Sequence, residues 1–168
     1  MAPDTPRPLE SLISEAQEGR LTVNFNSNVR LNAEEFFYID RDCQAFKDFI
    51  QDQQRIAKDL AAQKHWGLGE DQDILPSAKV MVDWFRSKAA KGDSGKGSDN
   101  NVHDILEEHY QIIDDIQILH HTIAQKLIDT DQEFAAHYNE ISANPPPSGI
   151  SSTTHVAGPY MLPNGKTY

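Results

Sequence analysis

Ile105-Leu106-Glu107-Glu108-His109-Tyr110-Gln111-Ile112-Ile113-Asp114-Asp115-Ile116-Gln117-Ile118-Leu119 is the stretch on which the fold turns. Its apolar residues recur in rows at helical spacing. Ile105, Ile112 and Leu119 form one row. Leu106 and Ile113 start a second that continues through Leu127, Phe134 and Ile141, and Ile116 with Ile123 makes a third. Rows spaced this way lie side by side on a 3.6-residue helix. They predict one long helix from Asn100 or Asn101 to residue 141. A stripe this wide suits the core of a helical bundle better than the narrow seam of a two-stranded coil. Asp104, Glu107 and Glu108 add negative charge at the positive end of the helix dipole.

A second long helix is read upstream. Asn32-Ala33-Glu34-Glu35 carries the cap and the acid of a capping box. Phe36, Ile39, Cys43, Phe46, Ile50, Ala57 and Leu60 then follow in three- and four-residue steps, broken only by Gln53. Phe37, Phe49 and Ile56 widen that stripe, and Asp40, Arg41, Lys47, Asp48, Gln51, Arg55 and Lys58 fall opposite. Between the two helices stands His65-Trp66-Gly67-Leu68-Gly69, where two glycines break the helix and permit left-handed backbone. Pro76 opens a short helix carrying Val80, Met81, Trp84 and Phe85. The run Gly92–Asp99 reads as a flexible loop.

The ends differ in character. Residues 1–17 form an N-terminal tail in which 9–17, with Leu9, Leu12 and Ile13 on one side, can form a short helix ended by Gly19. Leu21-Thr22-Val23-Asn24-Phe25 alternates in the manner of a strand, but it has no second strand to pair with and reads as an extended arm over residues 20–26. Residues 18–143 make the helical-hairpin domain. Residues 144–168 begin Asn-Pro-Pro-Pro-Ser-Gly and read as a Pro/Ser/Gly-rich, disordered tail. The expected fold is therefore all-α: a long antiparallel hairpin with a short extra helix in the connection. Wide stripes on both long helices exceed what one hairpin buries, so a partner is expected to complete a four-helix bundle.

The totals narrow the function. In 168 residues, 26 acids against 15 Lys plus Arg give a formal charge of −11, which repels phosphate backbones and disfavours nucleic acid as a partner. The mean hydropathy of −0.60 fits two-faced helices with much exposed surface. No secretory signal and no apolar run long enough to span a bilayer is read, so stable membrane insertion is not expected and the chain is expected to be made in the cytoplasm.

Catalytic and metal chemistry find little footing. His109 and His120 share a face but stand eleven residues apart, on the order of 16 Å, too far for one ion. They read as interface or half-buried positions, and a pH-sensitive contact is the sharper alternative. Cys43 falls on an apolar stripe among Asp40, Arg41 and Asp42, the setting of a small buried hydrophobe rather than of a nucleophile. Glu70-Asp71-Gln72-Asp73 and Asp114-Asp115 could bind a cation or a basic partner, but they lack calcium-loop spacing and read as solvated faces. Gly92–Ser98 lacks the interval of a phosphate-binding loop. A mutase-like bundle enzyme would need inward-facing cations, which the stripes lack. No enzyme activity, cofactor or metal is expected.

The order of these parts resembles the small helical-hairpin proteins of the ESX, or type VII, secretion systems, of which the Trp-X-Gly family is the archetype, and in particular their longer actinobacterial relatives. The matching residues are Glu18-Gly19-Arg20-Leu21-Thr22-Val23 before the first helix, Trp66-Gly67-Leu68-Gly69 at the turn, Val80, Trp84 and Phe85 on the short helix, and Ile105 through Phe134. The likeness spans residues 18–142. Leu68 stands where the strict motif has glycine.

The resemblance implies a non-catalytic partner-binding protein, exported in a complex or escorting a secreted protein. Its partner would be another hairpin, as homodimer or heterodimer, or a secreted effector. It also implies candidate interface residues: Phe36, Phe46, Phe49, Trp84, Phe85, Ile112, Ile116, Leu119 and Ile123. The family's Tyr-x-x-x-Asp/Glu export signal has candidates in Tyr110 with Asp114, in Tyr38 with Asp42, and in Tyr138, which has Ser142 four places on. Trp66 is either a docking residue or an anchor packing the turn. A different class of function, a cytosolic regulator or immunity protein binding a basic toxin or enzyme, suits the acidic charge.

Overall fold

A computed structural model describes residues 7–22, 31–92 and 98–150. Among them the chain is all-α, with five helices: α1 (Glu10–Gln17), α2 (Ala33–Ala62), α3 (Pro76–Ala89), α4 (Val102–Thr130) and α5 (Gln132–Ala143). No strand occurs among the described residues, and Leu21 and Thr22 are irregular. The rest of the expected arm, the middle of the glycine-rich loop and residues 151–168 of the expected tail lie outside the described residues.

α2 and α4 pack as antiparallel rods. Gln117 donates to the carbonyl of Asp40 (3.1 Å), Lys47 to Asp114 (2.9 Å) and Gln54 to Glu107 (2.8 Å), so rising numbers on α2 meet falling numbers on α4. At 1.5 Å per residue each rod is about 45 Å long. The core between them is thin. Ile50, Ala57 and Ala124 are buried on the rods, Val82 on α3 and Phe134 on α5.

Short polar side chains set the helix ends. Asn32 accepts from the Glu34 N–H (3.0 Å), so the cap bond is made one residue earlier than the expected capping box has it. Asn101, wholly buried, accepts from the Asp104 N–H (2.9 Å) and donates to the Ser98 carbonyl (2.7 Å) and the Asp104 carboxylate (2.9 Å). Asp131 corrects the expectation of one helix to residue 141. Its backbone is extended (φ −128°, ψ 109°), and its carboxylate accepts from the N–H groups of Glu133 (3.0 Å) and Phe134 (3.1 Å). A short acidic side chain there competes for backbone donors, ends α4 and caps α5. The break brings Phe134 against Phe36, ring centroids 5.5 Å apart, and Tyr138 against Phe37 at 5.9 Å.

α1 lies on α4. Ile13 and Ala16 are its buried face, and Leu9 N–H donates to Asp115 (3.0 Å). Residues 144–150, the first part of the expected tail, are held along α2: Arg41 donates to the Pro146 carbonyl (3.1 Å) and Ser148 to Asp42 (2.7 Å).

Candidate functional site

The connection between the rods is firmly built. Gly67 and Gly69 adopt φ of 72° and 85°, in the left-handed region that glycine enters without strain. The Glu70 carboxylate accepts from the backbone N–H groups of Trp66, Gly67 (3.3 Å) and Leu68 (2.9 Å), and these bonds hold its pKa down to about 2. The Trp66 indole N–H donates to Gln63 O (3.3 Å), and its ring stacks on Phe85 at 5.8 Å. Arg86 satisfies the carbonyls of Gln63 (2.7 Å) and Lys64 (2.9 Å) beyond the end of α2. Trp66 and Phe85 thus brace the turn. Leu68, Val80, Met81 and Trp84 point to solvent around it, Trp84 at 56% exposure.

The candidate interface residues divide into two groups. Phe36 stacks on His120 at 4.5 Å and meets Phe134, all within the chain. Phe46 and Phe49 are half-buried against each other at 6.2 Å. Leu119 and Ile123 are half-buried, and Ile123 lines an open recess with Ala16, Gly19 and Leu21 at the end of α1. Ile112 and Ile116 remain exposed, at 39% and 37%. They belong to a longer exposed row that the separate stripes in the sequence do not reveal: Val102 (50%), Ile105 (39%), His109, Ile112 and Ile116, in steps of three and four. Those steps repeat the pattern of an interhelical seam. Among the described residues, neither α2 nor α1 covers it.

The export-signal candidates are tied into the fold. Lys47 Nζ lies 5.7 Å over the ring of Tyr110 and binds Asp114, whose other oxygen pairs with Arg7. Burial works against the Asp114 carboxylate, but the bonds from Lys47 and Arg7 outweigh it and keep its pKa below the ordinary value. Tyr138 stacks on Phe134, and burial raises its phenol pKa.

Asp114-Asp115 is not the solvated face expected from the sequence but a clamp. Asp115 is wholly buried, accepts from Leu9 N–H and pairs with the Arg7 guanidinium. Its partner lies more than 100 residues away, and no local pattern marks such a contact.

The remaining reactive groups are quiet. Burial lowers the pKa of His120, helped by neighbouring His121 and opposed by Asp40, and so favours the neutral ring. His109 contacts the Ile105 carbonyl (2.7 Å) within its own helix. Burial, with Asp40 and Asp42, raises the Cys43 thiol pKa against the pull of Lys47, the opposite of thiolate activation. His65, Glu70 and Asp71 bring three potential metal-ligand atoms within 4.8 Å of one another. Glu70 there is already engaged by backbone donors, and His65 stands 3.0 Å from Asp71. An open recess of about 650 Å³ between the starts of α2 and α5 is lined by Glu34, Asp131, Glu133, Phe134 and His137 among others.

No protein family, curated protein or solved structure matches the chain in sequence or fold comparison. Among the described residues, no helix is long and apolar enough to cross a membrane.

Proposed function

We propose that this chain is a non-catalytic, partner-binding helical protein of a type VII secretion system, exported with its partner or escorting a secreted protein. The observation that carries the partner-binding part is the exposed row Val102, Ile105, His109, Ile112 and Ile116. Apolar side chains at seam spacing on a rigid rod lose hydration cost when a second helical protein covers them. Assignment to secretion rests on the residue resemblance at Trp66-Gly67-Leu68-Gly69 and on the order of the helices. The partner would be another helical hairpin, completing a four-helix bundle.

The test is co-expression with proteins encoded beside it, followed by assay of the culture medium. Co-purification and release that stops when the ESX ATPase is deleted support the proposal. Retention in the cell with no captured partner would overturn it. A second reading, a cytosolic regulator or immunity protein, draws on the acidity of α4, which from Val102 to Gln125 has five carboxylates and no Lys or Arg. It predicts capture of a basic toxin or enzyme and strict retention.

A further inference from the structure

We propose that the open half of α4 binds a basic amphipathic helix of the partner, with an Arg or Lys of that helix seated on Glu108. This rests on the partner-binding reading and names the chemistry of its surface.

The first support is a repeat within α4. Glu107-Glu108 precedes Asp114-Asp115 by seven residues, so the two acid pairs occupy the same positions two turns apart. Their neighbours on α2 repeat as well. Gln54 binds Glu107, and seven residues earlier Lys47 binds Asp114. The second acid pair already has an occupant: α1, an amphipathic helix of this chain, buries Ile13 and Ala16 and carries Arg7 onto both Asp114 and Asp115. The first acid pair has no such helix among the described residues: Glu108 is exposed beside Ile105 and Ile112, three and four residues away, whereas Glu107 turns toward Gln54 of α2.

Length and charge agree. From Val102 to Ile116 the row runs about 21 Å, two heptads, enough to seat a helix of four turns. A second copy of this chain would bring another charge of −11 to a face bordered by carboxylates, whereas a basic helix meets opposite charge.

The probe is a synthetic peptide with Leu at three- and four-residue steps and Arg at the flanking positions, titrated against the full chain by fluorescence anisotropy. Its control has Glu in place of each Arg. The Arg peptide should bind and the Glu peptide should not. Ile112→Asp, at an exposed position and with folding checked by circular dichroism, should weaken binding on the order of tenfold. Glu108→Lys should weaken it about threefold, and raising salt from about 0.05 to about 0.5 M should weaken it further.

Equal binding of both peptides, no binding, or unchanged affinity in both variants overturns the proposal. So does a dimer of the chain alone that Ile112→Asp dissolves, because a second copy then owns the row. If a natural helical partner still co-purifies with the Ile112→Asp chain, partner binding stands and this surface is wrong. If the Arg peptide binds as expected and no natural partner is captured, the surface stands and the proposed function falls.

Discussion

Replacing Asn101 tests how the second rod is anchored. The side chain is wholly buried and makes three hydrogen bonds: to Asp104 N–H, Ser98 O and the Asp104 carboxylate. Loss of an N-cap costs about 1 kcal/mol. Loss of the bond to Ser98 O adds about 0.5–1.5 kcal/mol, and the bond to the charged Asp104 somewhat more. With relaxation and entry of water, Asn101→Ala should cost about 2–4 kcal/mol. In a chain of this size that lowers Tm by roughly 6–12 °C.

Asn101→Asp sharpens the test. It keeps the capping acceptor but replaces the amide donor with a carboxylate facing Asp104. At neutral pH it should destabilise about as much as Asn101→Ala. Urea unfolding followed by circular dichroism gives both values, with m unchanged if only stability has moved. If Asn101→Asp matched the parent, the donor half of the argument would be refuted. A cost below about 0.5 kcal/mol for Asn101→Ala would remove the buried cap altogether.

Three further outcomes follow from other parts of the fold. Gly69→Ala should cost about 1–2 kcal/mol by thermal unfolding, because φ is 85° and the added Cβ would meet Leu75 Cδ1 at 2.8 Å; an unchanged Tm would contradict the turn geometry. Stability should fall in acid. Backbone bonds depress the Glu70 pKa from 4.5 to about 2, and Lys91 with Asn101 depresses Asp104 from 3.8 to about 2, so the unfolded chain takes up protons first. That contribution is complete above the ordinary carboxylate range and is lost as pH drops through about 2; Tm against pH should fall less steeply in Glu70→Gln, and a superimposable profile would count against the Glu70 bonds. Arg7→Ala should free α1, because Asp115 would otherwise stay buried without its cation; faster amide exchange across residues 9–17 is the expected result, and unchanged protection the contrary one.

Most of the all-α character was legible because it is written in local periodicity. The apolar steps after Asn32 and Asn101 gave α2 and α4, and Pro76 gave the start of α3. The break at Asp131 is hidden in the sequence because the apolar rows continue through it in register. Helical periodicity does not register a cap whose energy lies in two backbone donors. The glycines at 67 and 69 signalled a turn. The Glu70 carboxylate that fastens it, and the Phe85 ring under Trp66, became visible only once the chain was folded back.

The candidate surface was legible in part. Sequence spacing identifies the apolar rows of α4 but does not tell which of them face α2. Val102 and Ile105 stand exposed outside the expected interface, whereas Phe36, expected there, is spent internally on His120 and Phe134. Arg7 on Asp114-Asp115 joins the two ends of the chain, and no window of sequence contains it.

Whether the exposed row on α4 seats a helical partner is decided by native mass spectrometry of the chain co-expressed with its genetic neighbours, as parent and as Ile112→Asp. A discrete complex with a helical protein that is lost in Ile112→Asp, while the variant alone still folds with the parent's helical circular-dichroism signal, is the expected result. A chain that captures nothing, or a complex that survives Ile112→Asp unchanged, would contradict it.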